Sequence, residues 1–406
     1  MDQTKENRAW WNTHANCVVC AAFALTLAVV DRSGADELLT TDALWVTGTV
    51  EIAAGWARVH TGDPGCPAVT NEVLCPVDKI VALRAGRVAS QGCGEPRVYL
   101  VGGDMLSGAI AGASNGLLRV RGDALGEIEL AFDDAICIRL AGGRDVAERP
   151  PRGSRGVVFV NGDEMSGDVA GVGDAHVFVA AGKRTNAVVR SRCAWIRFAD
   201  IPAGEPVRQL PADTRHCVLF TNGDVLSGTI EAMDAGGMTL RARRRTYSIP
   251  RDRISEVWTE GPALAPLSLA PVSACRQTPQ FDENFPHRLD ANLDGGRLRI
   301  AGKSYARGIA CHSRCELEYR LDGVYSRFIA DIGIDDTAPR DGLASFLVEV
   351  DGKAAASVPA VRAGESARTI HADLKGAQVL RLIVDFGGDG VSLGDHADWA
   401  RPVLVR

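Results

Sequence analysis

Gly394-Asp395-His396-Ala397-Asp398-Trp399-Ala400-Arg401-Pro402-Val403-Leu404-Val405 all but closes the chain. Two acids, a histidine and a tryptophan run straight into an apolar end, which is not the spacing of an amphipathic helix. The stretch reads as a loop that delivers Asp395, Asp398 and Trp399 to one spot, followed by a strand that ties the chain end into a sheet. Upstream, Phe346–Val350 and Leu380–Phe386 alternate apolar and polar residues, as sandwich strands with one buried face do. Val350-Asp351-Gly352-Lys353 is a hairpin turn whose Asp-Gly serves the backbone.

Further back the chain repeats itself. Val98-Tyr99-Leu100-Val101-Gly102-Gly103-Asp104-Met105-Leu106-Ser107-Gly108 recurs at Val157–Gly167 and again at Val218–Gly228. Gly108, Gly167 and Gly228 are 59 and 61 residues apart, and a worn first copy at Ala43–Val50 places Gly48 another 60 residues back. A fixed period means a repeated structural unit. Asn-Gly or Gly-Gly before the aspartate supplies the positive φ angles of a tight hairpin turn. The later glycine marks a bend or a close backbone approach. About five short strands per copy describe a small curled barrel, weakly Sm-like in pattern. The fold class expected is mainly β, with tandem small β-barrel-like repeats followed by a C-terminal β-sandwich of jelly-roll-like form. The units expected are residues 36–90 (degenerate), 97–141, 156–200 and 216–260, then 265–406, with Pro-rich, charged linkers at 145–155, 202–211 and 261–271.

The 406 residues carry a net charge of −6 and 46% hydrophobic residues. That is globular composition, with no basic field to favour nucleic acid or an anionic membrane. The basic run Arg241–Arg245 is expected to be a solvated hairpin edge. Cys17–Val30 is a 14-residue apolar run preceded by Lys5 and Arg8 and followed by Ser33-Gly34-Ala35. It reads as a signal peptide over residues 1–35, with an uncleaved anchor as the alternative. A secreted, periplasmic or cell-surface location follows, with no membrane contact after cleavage. Nine cysteines then remain, an odd number without framework spacing. Cys66 and Cys75 flank a loop and are close enough in sequence to pair, whereas Cys137 and Cys193 fit small buried hydrophobes.

In the C-terminal third, Gly302-Lys303-Ser304-Tyr305-Ala306-Arg307-Gly308-Ile309-Ala310-Cys311-His312-Ser313 leads into Leu317–Leu321, then Phe328–Asp336, Phe346–Lys353 and the closing Asp-His-Ala-Asp-Trp. In that order the segments closely resemble the NPCBM family, proposed carbohydrate-binding modules of the glycosyl hydrolase family 98 type, over roughly Ala265–Arg406. The resemblance implies a glycan partner. Carboxylates and imidazoles bond sugar hydroxyls and an indole stacks on the C–H face, so His312, Asp395, Asp398 and Trp399 are the candidate sugar residues. Each has a plain alternative: a loop contact for His312, a core plug for Trp399. Asp335 and Asp336 are candidates for a structural Ca²⁺ or for a turn cap. Cys311 and Cys315 flank the His312 loop and depart from the family's pattern.

Gly112-Ala113-Ser114-Asn115-Gly116 matches a nucleophile elbow only formally, since it lies between two strands and is expected to be a turn. Asp104, Asp163 and Asp224 read as turn acceptors. A glycosidase needs two carboxylates in a large cleft, and the pattern shows no scaffold for one. The expectation is an exported, non-catalytic glycan binder whose repeats act as spacers or contact envelope proteins. The rivals are an envelope assembly protein without sugar affinity and a hydrolase with an unrecognised site.

Overall fold

Turn chemistry at Gly-Asp in three copies, and at Thr41-Asp42-Ala43 in the first, produces the same unit four times. The computed structural model describes residues 35–61, 71–85, 96–140, 150–202, 210–280 and 285–406, so the expected signal peptide, Cys66, Cys93 and much of the first two linkers lie outside the described residues. The fourth copy shows the plan. Arg215–Phe220 turns into the long Val225–Met233, which is followed by Gly237–Ala242, Arg245–Pro250, a single 3₁₀ turn at Arg251–Arg253, and Ile254–Glu260 returning beside the first strand. The other copies repeat this order, each with a 3₁₀ turn before its last strand: Val77–Lys79, Phe132–Asp134 and Arg190–Arg192. The first copy is therefore complete in structure, although its sequence is worn. The second strand bends at the repeated glycine because the third strand crowds it. A Cβ at Gly108, Gly167 or Gly228 would stand 2.5 Å from the carbonyl oxygen of Arg121, Ala180 or Arg241, and Gly48 is crowded in the same way by His60.

The copies are fused rather than strung out. The last strands of the first and fourth pair antiparallel at Leu83↔Val257, and their second strands touch at Ala53↔Ala232. The second and third copies pair by the same elements, at Ile138↔Ile196 and Ala113↔Val172. The two pairs then join where Met105 faces Val225. Two buried carboxylates brace this junction reciprocally. Asp224 accepts from Ser107 N (2.8 Å) and Oγ (2.7 Å), while Asp104 accepts from Ser227 Oγ (2.6 Å). Asp104 and Asp224 are thus cross-braces and not simple turn acceptors; Asp163 accepts a local bond from Asn161 Nδ2 (2.7 Å) and is exposed. The basic run is a hairpin turn with Arg241, Arg244 and Arg245 exposed, as expected. Arg243 is largely covered, bonding Asp104 (3.0 Å) and Asp134 (3.1 Å), and Arg245 bonds Glu129 (3.0 Å), so the run clamps the fourth copy to the second. One hydrophobic cluster, including Leu38, Val98, Val157 and Val218, runs through all four copies. At the third copy the edge strand Glu164–Ser166 lies open, and Glu164 there pairs with the buried Arg197 (2.6 Å).

The C-terminal third packs two antiparallel sheets face to face. One orders Arg288–Leu289, Gly308–His312, His396–Val405, Arg327–Ile334 and Arg368–Asp373; the other orders Ala274–Gln277, Cys315–Arg320, Val379–Phe386, Leu343–Val350 and Lys353–Arg362. Their inner faces meet in a core that contains Leu317, Phe328, Phe346 and Trp399. The stretch expected as a linker is built in: Leu264–Pro266 pairs with Val403–Val405, and Leu267 is fully buried.

Sandwich and repeats are locked by a buried charge knot. Asp331, on Arg327–Ile334, binds Arg84 of the first copy and Arg401 of the terminal strand, the latter at 2.6 Å. Arg401 in turn pairs with Glu256 of the fourth copy. Trp45 donates to Thr369 (2.8 Å), Thr369 donates to Asp331 (2.8 Å), and both guanidiniums lie over the rings of Trp45 and Tyr305. Burial alone would push the Asp331 carboxyl upward, but Arg401 and Arg84 outweigh it and hold it below the ordinary range. Removing one member of such a knot leaves uncompensated buried charge. Asp331→Ala is expected to cost about 3–5 kcal/mol in chemical denaturation, and a loss below about 1 kcal/mol would show that the knot does not tie the two parts.

Candidate functional site

The closing segment does not do what its sequence suggests. The terminal strand begins at His396, so Asp398 and Trp399 are strand residues and point to opposite faces. Trp399 has no exposed surface and packs edge-on against Phe346 (5.1 Å) and Phe328 (6.3 Å) between the sheets. It is a core plug and no sugar can reach its ring. Asp398 is equally buried, on the face covered by the Leu298–Tyr305 hairpin. No donor reaches either of its oxygens. Burial pushes its carboxyl well above the usual range, and the neighbouring Asp335 carboxylate adds to the shift.

Asp335 and Asp336 hold turns. Asp335 accepts from Asn292 Nδ2 (3.2 Å), Thr337 N (2.9 Å), Thr337 Oγ1 (2.7 Å) and Arg299 N (2.8 Å). Asp336 accepts from Gly302 N (2.9 Å) and lies 3.4 Å from Nε of Arg299. Calcium needs six to eight oxygens, and among the described residues no group of three or more His, Cys, Asp or Glu is placed to hold a metal ion. Four donors on one carboxylate and a guanidinium beside the other do not fit the ion, and the turn-cap alternative describes both residues.

His312 and Asp395 do come together, at the loop end of the sandwich. Ser313 Oγ donates to Asp395, which also accepts from Leu343 N (3.1 Å), so Asp395 braces three loops from behind. Burial pushes its carboxyl up to about 6 against those two donors. His312 faces outward, half-buried. Its ring stacks on Phe285 at 4.3 Å and lies 5.9 Å from His396, its cross-strand partner. Nδ1 of His396 has no hydrogen-bond partner in the protein. Arg314 bridges Glu316 (3.0 Å) and Asp385 (3.2 Å) at the same rim. Gln280 pins the adjoining loop through Gly390 O (2.7 Å) and Ser392 N (2.7 Å), leaving Leu393 63% exposed. A flat ring pair, a charged rim and an exposed aliphatic tip form a shallow amphipathic surface. Such a surface suits a ligand with an apolar face and a hydroxyl edge. Phe285 and His396 escaped the sequence reading: Phe285 sits in an irregular segment with no periodicity, and His396 was overshadowed by its acidic neighbours. Of the flanking thiols, Cys311 and Cys315 are both buried and lie behind the surface.

Asp395 makes the loop end pH-sensitive. Its folded value lies above the ordinary unfolded one near 3.9, so folding favours the protonated form. This group's contribution is best at low pH and weakens as pH rises from about 4 through about 6. Asp395→Asn should gain stability relative to the parent by on the order of 1–2 kcal/mol between pH 4 and 7 in paired urea titrations, and a difference that stays flat would refute the shift. Because Asp335 and Asp336 are engaged, millimolar calcium or chelator should leave the melting temperature unchanged; a calcium-dependent rise would restore the ion reading.

Residues 270–405 match the family model described as NPCBM/NEW2 domain. A curated Renibacterium salmoninarum protein named "Putative endo-alpha-N-acetylgalactosaminidase" is 34% identical over 110 residues, 27% of this chain and 7% of that protein. The chain thus spans a small part of that relative's length. Among solved structures, the CBM51 module of a Clostridium perfringens family 95 glycoside hydrolase in complex with methyl-galactose is similar at 23% identity, over 35% of this chain and 99% of that one, with a TM-score of 0.32. The tandem CBM51 modules of a Streptococcus pneumoniae family 98 glycoside hydrolase are similar at 12% identity, over 62% of this chain and 88% of that one, with a TM-score of 0.32.

Proposed function

We propose that the protein is an exported, non-catalytic carbohydrate-binding protein, with the loop end of its sandwich as the sugar site. The family match across residues 270–405 carries the reading. The loop end supplies the chemistry: the Phe285–His312 ring pair offers a stacking face, while Arg314 and Asp385 offer polar partners for hydroxyls. In this reading His312 keeps the direct role expected of it. Asp395 acts behind it by fixing the His312–Arg314 hairpin against Leu343. Asp398 and Trp399 serve the fold, through the acid pair with Asp335 and the core. A lone shallow sugar site is weak, about −4 to −8 kcal/mol, so retention on a surface calls for clustered ligands. The fused repeats then act as a rigid mount for the module rather than as a flexible spacer, and an envelope protein remains the partner class for their open faces. Export rests on the apolar run at Cys17–Val30.

A glycan array probed with the full mature chain tests the reading. A defined set of sugars should bind, and Phe285→Ala and His312→Ala should each weaken binding about tenfold or more while the melting temperature holds. Trp399→Ala should instead destabilise the fold by about 3–5 kcal/mol, as a large buried aromatic lost from a core does. Silence from a folded chain, together with capture of a protein partner, would move the assignment to the assembly class.

A further inference from the structure

The third copy leaves one long strand with a free side. Arg184–Val189 is the outer strand of the six-stranded sheet formed by the second and third copies, and it pairs only with His176–Ala181. Just past it, Arg190 N donates to Ala175 O (2.8 Å), so those two residues are a bonded pair. Antiparallel pairs alternate between bonded and unbonded. With Phe178 opposite Ala187 and Ala180 opposite Thr185, Thr185 and Ala187 therefore turn their N–H and C=O groups away from the sheet. Both residues are exposed, and these four groups meet no partner among the described residues.

Sheet edges are ordinarily guarded by charge, proline or a bulge. The other outer strands of the repeats carry such guards. Gly126–Ala131 has Glu127 and Glu129, the latter bonded by Arg245; Asn71–Pro76 has Glu72 and a proline; Arg245–Pro250 ends in a proline; Glu164–Ser166 has Glu164. Arg184–Val189 has a charge only at its first residue, no proline and an unbroken register. Its outer face is apolar, with Phe178 40% exposed across from the small Ala187 and Val189 44% exposed. Its ends are cationic. Lys183 and Arg184 at one end and Arg192 at the other are exposed and make no ion pair among the described residues. Of the acids in this copy, Asp163 is bonded by Asn161, Glu164 by Arg197, and Asp168 and Asp200 by Arg155, which leaves Asp174 against those three cations.

We infer that this edge is a docking site for an extended segment of another protein, apolar and β-branched at its centre and acidic at its ends. The inference rests on the reading of the repeats as contact units and names the chemistry of their partner. An added strand takes ladder bonds from Thr185 and Ala187. A large apolar side chain set beside Ala187 reaches over that small residue to the open ring of Phe178. Carboxylates at the segment's two ends meet Lys183 and Arg184 on one side and Arg192 on the other. A second copy of this chain fits less well, because two-fold pairing of the same strand sets Lys183 and Arg184 of each molecule near Arg192 of the other, like charge against like.

Fluorescence anisotropy of a labelled peptide, Glu-Asp-Val-Thr-Val-Thr-Val-Asp-Glu, with the full mature chain at low salt tests the site. This peptide should bind at least about tenfold more tightly than a counterpart whose four acids are lysines, and should weaken as salt rises. N-methylation of its central amides, which removes ladder donors, should cost about tenfold or more. Arg184→Glu combined with Arg192→Glu should lower the affinity about tenfold with an unchanged melting temperature. Ala187→Pro should do the same, since the N–H it removes serves no bond inside the sheet; the N-methylated peptide tests the ladder even if that variant fails to fold. The double charge reversal should leave glycan-array binding as in the parent, and an array that stays silent while the peptide binds would count against the sugar site alone. Equal binding of the lysine peptide, full affinity of the N-methylated one, or no binding by the folded chain would overturn the inference. So would a dimer in sedimentation that Ala187→Pro dissolves, which would give the edge to a second copy.

Discussion

Asp331 is the carboxylate on which the architecture turns. It sits fully buried at the meeting point of the first copy, the fourth copy and the two central strands of one sandwich sheet, with Arg84 and Arg401 on either side and Thr369 and Tyr305 completing its shell. A charge so deep survives only if every neighbour keeps its place, since desolvation would otherwise exceed the Coulombic gain. The positions of Trp45, Glu256 and the terminal strand follow from that requirement. So does the mutual position of repeats and sandwich. Glu260 repeats the device at lower exposure to chance: burial would raise it, yet Arg307 and Arg215 hold it at about 2, so it stays charged through the physiological range.

Around this knot, the four copies solve one packing problem twice. Each copy has open strands at its last and second positions, and pairing like with like closes them. The first copy meets the fourth and the second meets the third through the same elements, in a nested order that sequence adjacency does not suggest. The Gly-Asp turn and the Ser-Gly step have distinct uses as well. The turn and the bend are local, whereas the Asp and Ser of the second and fourth copies reach across to each other. A motif that looks like turn grammar in one copy is an interface in two of them.

Much of the architecture was legible from the chain. The repeat period, the hairpin turns, the crowded glycine and the sandwich strands all follow from positive-φ residues and period-two alternation, which act locally. The Asn115-Gly116 turn, with φ of 52° and 76°, is what the flanking strands required in place of a nucleophile elbow. The site was read less well, and the cause is a four-residue offset in where the terminal strand begins. Placing the start of the terminal strand after Trp399 instead of at His396 turned a core tryptophan and an interior acid into an apparent cluster. Strand alternation sends neighbours to opposite faces, so Asp398 and Trp399 cannot share a surface. Pairings between copies, and the ion pairs of Asp331, join residues from 56 (Arg139↔Trp195) to 247 (Arg84 and Asp331) positions apart and have no local signature.

The open strand of the third copy shows how the sheet stops. Met105 and Val225 meet at the junction of the second and fourth copies, and Trp45 at the matching place in the first copy faces the sandwich. In the third copy that place belongs to Glu164, whose carboxylate is tethered to Arg197. Two such edges from separate molecules would bring like charges face to face in the only register the repeat favours. A charge held on an open strand disfavours edge-to-edge pairing, so the place that joins copies elsewhere in the chain is guarded in the third.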